Sequence, residues 1–336
     1  MTNAPAAIGQ DRLDAGTLAN ENFWTPTERE AIEAYVDNKL SQILNGDEAE
    51  VERGRAGLLD PTRAPGVSDR FQSQFTELVC GQLEPLLAVE AIKPRINAMV
   101  IADGLAHPRA LGAIRKGLGD PSVGVRYPAA RASESLLEGG QLNAAQEREL
   151  IQSLEQLAVG EGEVHVVQAL IEAMLADPDN NIDVLNVLND RLAWHVGQAG
   201  ASFMAESTAV QTIYSRLITA NPTARPNIEV RGLARASSRY FLLSAQQLAE
   251  GKVPDERFDS HREIIRRTAV ALEFAHEHVQ SPQAAPPAPG RALNAGDWDE
   301  LVRIGESWMA ILKAGPFNYT DADLILPQPS AQAGLP

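Results

Sequence analysis

The sequence predicts an all-α protein: an α-solenoid of antiparallel helix pairs, continued by a longer helical hairpin and a docking helix. Three observations carry that prediction. Apolar residues recur at helical spacing along most of the chain, with hardly any period-two alternation. Brief turn signals such as "GDP", "EGG", "GEG" and "DPD" separate the stripes, and turns this short place successive helices antiparallel. One local pattern also returns along the chain, and internal repetition favours a stack over a closed bundle.

The elements follow in order. Residues 1–22 are small and polar and read as a disordered N-terminal segment. The solenoid is expected over 23–220. At "WTPTEREAIEAYVDNKLSQIL" Thr25 can cap a helix, Pro26 suits its first position and Glu28 completes a capping box. "DEAEVERGRAGLL" makes a second short helix, and "SDRFQSQFTELVCGQLEPLL" places Phe71, Phe75, Leu78, Val79, Leu83 and Leu86 on one stripe. Helical patterns then run through "AIKPRINAMVIADGLA", "PRALGAIRKGL", "AAQERELIQSLEQLA" and "EVHVVQALIEAML", and through 182–197 and 203–219. The segment 221–280 reads as a long hairpin continuing the stack, with "ANPTARP" ahead of it. A Pro- and Ala-rich linker over 281–296, a docking helix over 297–314 and a tail without clear helix over 315–336 complete the chain. Trp298 and Trp308 give the docking helix an apolar face that is expected to be buried.

The returning pattern is an Asp, an Arg six residues on and an Ala three further. Asp120, Arg126 and Ala129 fit it, as do Asp47, Arg53 and Ala56, while Arg95 and Ala98 keep it without the Asp. Here the chain resembles the HEAT repeat family, most closely in "GDPSVGVRYPAARASESLL". The resemblance covers about the first half of the chain. It implies a right-handed solenoid in which Asp47, Arg53, Arg95, Asp120 and Arg126 form a ladder between repeats and paired alanines let helices approach closely. Pro128 is costly inside a helix, because it removes a hydrogen bond to the carbonyl of Gly124. It therefore predicts a late helix start, with 121–125 as a separate turn, or else a kink.

Composition bounds the function. The 336 residues are 44% hydrophobic and 22% charged, enough for a large core. Lys and Arg total 29 against 45 Asp and Glu, and the net charge of −16 repels nucleic acid and anionic membrane. The single cysteine, Cys80, permits no internal disulfide framework. No apolar run reaches the ~20 residues that span a bilayer. The opening "MTNAPAAIGQ" has neither a basic nor an apolar signal region, so the cytoplasm is the expected compartment. The periplasm or exterior is the alternative if a signal segment was removed before Met1.

Candidate chemistry is sparse. His276 and His278 point to different helix faces, Glu273 could pair with either His276 or Glu277, and two ligands do not make a metal site. His165 reads as packed; His195, beside Trp194, suits a groove but has no evident acidic partner. Trp194, Phe203 and Met204 flank a Gly-rich turn and read chiefly as core. Cys80 sits in an apolar stripe and reads as a small core residue. No G-x-S-x-G, P-loop or G-x-G-x-x-G occurs. Arg231, Arg235 and Arg239 recur by four on one helix, and Arg262 and Arg266 on the next, with Arg267 adjacent. Neighbouring antiparallel helices could join these rows into a basic strip and candidate partner-binding site. The competing reading is a solvated face, neutralised by Glu229, Asp259 and Glu263.

The expected function is non-enzymatic: a scaffold whose extended surface meets a protein or peptide, with no cofactor and no catalytic or metal residues. Self-assembly into a homo-oligomer or a structural subunit stays open. The HEAT resemblance also admits an enzyme, of the alkylpurine DNA glycosylase or chromophore lyase kind; the acidic charge opposes the first.

Overall fold

A computed structural model describes residues 12–220 and 227–327. Every regular element among them is helical. The chain divides into two compact units between Ser153 and Leu154, inside a helix and well short of the solenoid's expected end at 220. What the sequence predicts for residues 1–11, 221–226 and 328–336 lies outside the described residues.

The first unit opens with α1 (Ala15–Leu18), capped by Asp14. Residues 12–22 are thus not the disordered segment expected: Ser68 donates its amide to Leu18 and its hydroxyl to the Asn20 carbonyl, tying this stretch to the next helices. The capping box at Thr25 and Glu28 opens α2 (Pro26–Asn45). α3 (Glu48–Leu59) folds back on it so closely that a Cβ on Gly54 would sit 2.7 Å from the Lys39 carbonyl oxygen. The next stripe splits into α4 (Asp69–Gly81) and α5 (Leu83–Leu87). Pro85 explains the break, since it has no N–H for the carbonyl of Gly81. α6 (Ile92–Leu105), α7 (Leu111–Leu118) and α8 (Val123–Glu138) follow. One layer runs α3, α6, α8 and the other holds α2, α4, α5 and α7, with Phe71, Phe75, Met99, Ile114 and Leu136 in the core between them.

Pro128 lies inside α8, which starts at Val123 instead of after a separate turn. The Ser122 carbonyl already accepts from Val125 and Arg126, so the helix is under way before the proline. Of the residues expected in the ladder, Arg95 and Asp120 meet. Arg95 on α6 grips both Asp120 carboxylate oxygens, at 2.8 and 2.6 Å, and Asp120 also accepts from the Ser122 amide. Arg126 donates to the carbonyls of Asp120 and Pro121. Asp47 and Arg53 make no such rung. Asp47 caps α3 through the Glu50 amide, and no hairpin precedes α2 among the described residues to supply its arginine. Arg53 is exposed, and Val89 stands six residues before Arg95, where the pattern needs an Asp. Arg55 instead reaches Asn97 of α6 at 3.4 Å.

The second unit takes up α9 (Ala144–Gly160) from Leu154 onward, then α10 (Val164–Met174), α11 (Asn181–Gly197) and α12 (Met204–Thr219). The long pair α13 (Asn227–Ala249) and α14 (Phe258–His278) packs along its whole length. One layer runs α10, α12, α14; the other contains α11 and α13 and is completed by α16 (Trp298–Lys313), which lies along α13. Trp308 is 2% exposed, whereas Trp298 is only half-buried against Phe258. Two stretches expected to lack structure carry short helices. Within the 281–296 linker, α15 (Gly290–Ala295) ends on Gly296 in the left-handed conformation, φ +66°, which glycine adopts without strain. Within the tail, α17 (Asp321–Leu324) is opened by a Thr320–Asp323 capping box and buries Leu324.

A candidate peptide-binding groove on the second unit

The arginine row of α13 does not join that of α14. Arg262 of α14 donates to the Leu293 carbonyl in the last turn of α15, at 3.2 Å. Arg266 and Arg267 both pair with Glu263, as the solvated-face reading expects. Glu229 is spent on Asn181. The combined basic strip is therefore corrected: α14 contributes nothing to it.

Arg231, Arg235 and Arg239 are engaged by the chain's own C-terminal segment. A spacing of four brings them to one helix face. Arg231 donates to the Phe317 carbonyl, Arg235 Nε to that of Asp323 at 2.8 Å, and Arg239 Nη2 to that of Ile325 at 3.1 Å. Tyr319 returns a bond, its hydroxyl donating to the Arg231 carbonyl at 2.6 Å, with the Arg231 guanidinium over its ring. Phe317 and Leu324 are 1% and 0% exposed and anchor the segment. Two of the bonded carbonyls lie at and just beyond the end of α17, where helical carbonyls lack intrahelical donors and cations are favoured.

Past this contact the face opens into a groove of about 720 Å³ between α9, α11 and α13, which Pro327 enters. Arg235 and Arg239 line one side; Glu155, Asn186 and Asp190 are among the residues on the other. Arg239 is 7% exposed and donates to Asn189 Oδ1 at 2.8 Å, while its buried Nε has no hydrogen-bond partner. Burial, then the neighbouring Arg235, disfavours its charge. Burial pushes the Glu155 carboxyl up, and the nearby charges of Asp183 and Asp190 push it further.

Other polar clusters are closed off. His195 is not in a groove: it is 0% exposed, stacked on Phe203, and it has an acidic partner, with Nε2 at 2.8 Å from Glu206 Oε1. Arg191 Nε donates to the same oxygen at 2.7 Å. Burial alone would raise the Glu206 carboxyl; the charges and hydrogen bonds of His195 and Arg191 outweigh it and hold the pKa at about 2. Cys80 is buried and its thiol is pushed up to about 12 by burial, which disfavours a nucleophilic thiolate. His276 Nε2 lies 2.8 Å from the Gln283 carbonyl, and His278 Nε2 3.0 Å from Asn227 Oδ1. Met204 is 53% exposed, outside the core role expected of it. Among the described residues, no three His, Cys, Asp or Glu side chains gather into a metal-binding group. Among the described residues, no helix is long and apolar enough to cross a membrane.

Sequence reasoning found the arginines of the groove but not its other wall or its occupant. Glu155, Asn186 and Asp190 come together only through the packing of α9 on α11. The tail did carry a signal: Thr320 and Asp323 have capping-box spacing just before "LIL".

No family model and no curated protein matches the chain. Among solved structures it is similar to Kap121p, with 14% identity and a TM-score of 0.43, over 89% of this chain and 34% of that one. The chain thus spans about a third of the length of that protein.

Proposed function

We propose that the protein is a non-enzymatic scaffold that binds a protein or peptide partner on the α13 face of its second unit. One observation carries this reading: that face already holds a stretch of polypeptide, Phe317 to Pro327, through side chain to main chain bonds and two buried apolar anchors. Helical layers of this kind expose a broad surface for their length, which suits contact with a macromolecule. The groove beyond Pro327 offers donors on one wall and acceptors on the other, complementary to the alternating N–H and C=O groups of a peptide. The ionisable cluster around Glu206 is sealed in the core, where a substrate would have to open the unit to reach it.

The test is capture of the full-length protein from its native cell, wild type beside Asn186→Trp. Asn186 is exposed, so the indole blocks the groove without entering the core. The reading expects a discrete, stoichiometric protein partner that is lost from the variant while the melting temperature is kept. Capture of further copies of the chain alone would point to assembly, and a bound chromophore to the enzymatic alternative; either would contradict the proposal.

A further inference from the structure

The three arginines of α13 share an unusual economy. On a chain of net charge −16, none of them lies within ion-pair distance of a carboxylate among the described residues. Their bonds go to main-chain carbonyls and to Asn189 instead. Main-chain carbonyls are common to every peptide, so this recognition is largely indifferent to sequence. Specificity comes from the two buried anchors, Phe317 and, seven residues on, Leu324. The segment also brings negative charge. The Asp323 carboxyl is held low mainly by hydrogen bonds from Thr320, with Arg235 contributing. Asp321 is paired with Lys313 at 2.5 Å. Arg239 itself lines the groove beyond the segment, and its buried Nε has no hydrogen-bond partner.

The geometry points to the 316–327 segment being an exchangeable occupant: the α13 face docks an acidic peptide of a partner protein, bearing an aromatic residue and a leucine seven residues later, in competition with the chain's own tail. This rests on the scaffold reading and gives its site a ligand chemistry. Charge complementarity selects the acidic peptide, since uncompensated guanidiniums gain more from a charged acceptor than from a neutral one. Competition follows from tethering. A segment joined directly to α16 is present at an effective concentration that a free peptide must exceed. Binding in trans is therefore weak until the tail is released or the partner offers better acceptors to Arg235 and Arg239.

The experiment uses the full chain and a fluorescein-labelled peptide PFNYTDADLILP, read by fluorescence anisotropy. Leu324→Asp removes the resident anchor. The labelled peptide should bind this variant at least tenfold more tightly than wild type, and Arg235→Ala added to it should remove at least tenfold. Binding should weaken as salt rises. A Leu324→Asp chain with unchanged circular dichroism that binds no more tightly than wild type overturns the proposal. Should that substitution unfold the unit, hydrogen exchange on the wild type decides. The amides of Tyr319 and Ile325, bonded to Leu312 and Asp321 respectively, should exchange faster when unlabelled peptide is in excess. Unchanged exchange overturns the proposal. Such a failure is distinguishable from failure of the scaffold reading, because a partner lost on Asn186→Trp would still stand.

Discussion

Asp120 carries two duties with its side chain and a third with its main chain: the carboxylate accepts from Arg95 and from the Ser122 amide, and the main-chain carbonyl accepts from Arg126. Its side chain is 6% exposed and that of Arg95 15%, so removing either partner leaves a largely desolvated charge alone. Asp120→Ala should cost about 3 kcal/mol, the low end for breaking a buried pair, whereas exposed Arg53→Ala should cost less than about 0.5 kcal/mol. Urea titrations of the two variants check the contrast. The titratable groups of the second unit set a pH dependence. His261, fully buried, is held at about 4 against an ordinary 6.5, chiefly by burial. The unfolded chain therefore takes up that proton first, and the stability His261 contributes is complete above about pH 6.5 and lost as pH falls toward 4. Glu206, held at about 2 against 4.5, adds a second loss in the same direction as pH falls from 4.5 toward 2. His261→Gln should flatten the fall in urea midpoint between pH 6.5 and 4 and leave the steeper acid limb intact.

At the scale of elements, helix pairs are set by how closely their backbones meet. Gly54 lets α3 settle onto the Lys39 carbonyl of α2, 2.7 Å from where a Cβ would stand, and Tyr35 reaches across to the Gly57 carbonyl at 2.9 Å. Gly54→Ala gains helix propensity but forces the pair apart. It should destabilise the first unit by about 1–3 kcal/mol, visible as a lower melting temperature. In the second unit α16 lies along α13 and buries Trp308, whose ring meets that of His276 on α14, and Trp308→Ala should cost about 3–5 kcal/mol. Much of this level is legible in the sequence, because caps and stripes are local. Thr25 with Glu28 marks the start of α2, and the apolar face from Trp298 marks α16. What is not legible depends on non-local partners or on a single breaking residue. Pro85 divides one stripe into two helices, and Glu206 completes His195 from eleven residues away on a different helix. The arginine row is legible as a row, while its occupant is visible only once the chain folds back over 86 to 88 residues.

For the whole molecule, the acidic balance and the placement of its cations tell one story. The guanidiniums of α14 are neutralised by Glu263 or spent on a helix end, and those of α13 are kept for main-chain acceptors. The second unit thus presents one face where a polypeptide is held and an opposite layer, α10, α12 and α14, without that equipment. The proposed scaffold would meet its partner from the α13 side. The most direct test is site-specific photo-crosslinking in the native cell, comparing a probe at Gln156, exposed on the groove wall, with one at Val270, 43% exposed on α14. The account predicts a single discrete protein adduct from position 156 and none from position 270; equal adducts from both positions, or none from position 156, would contradict it.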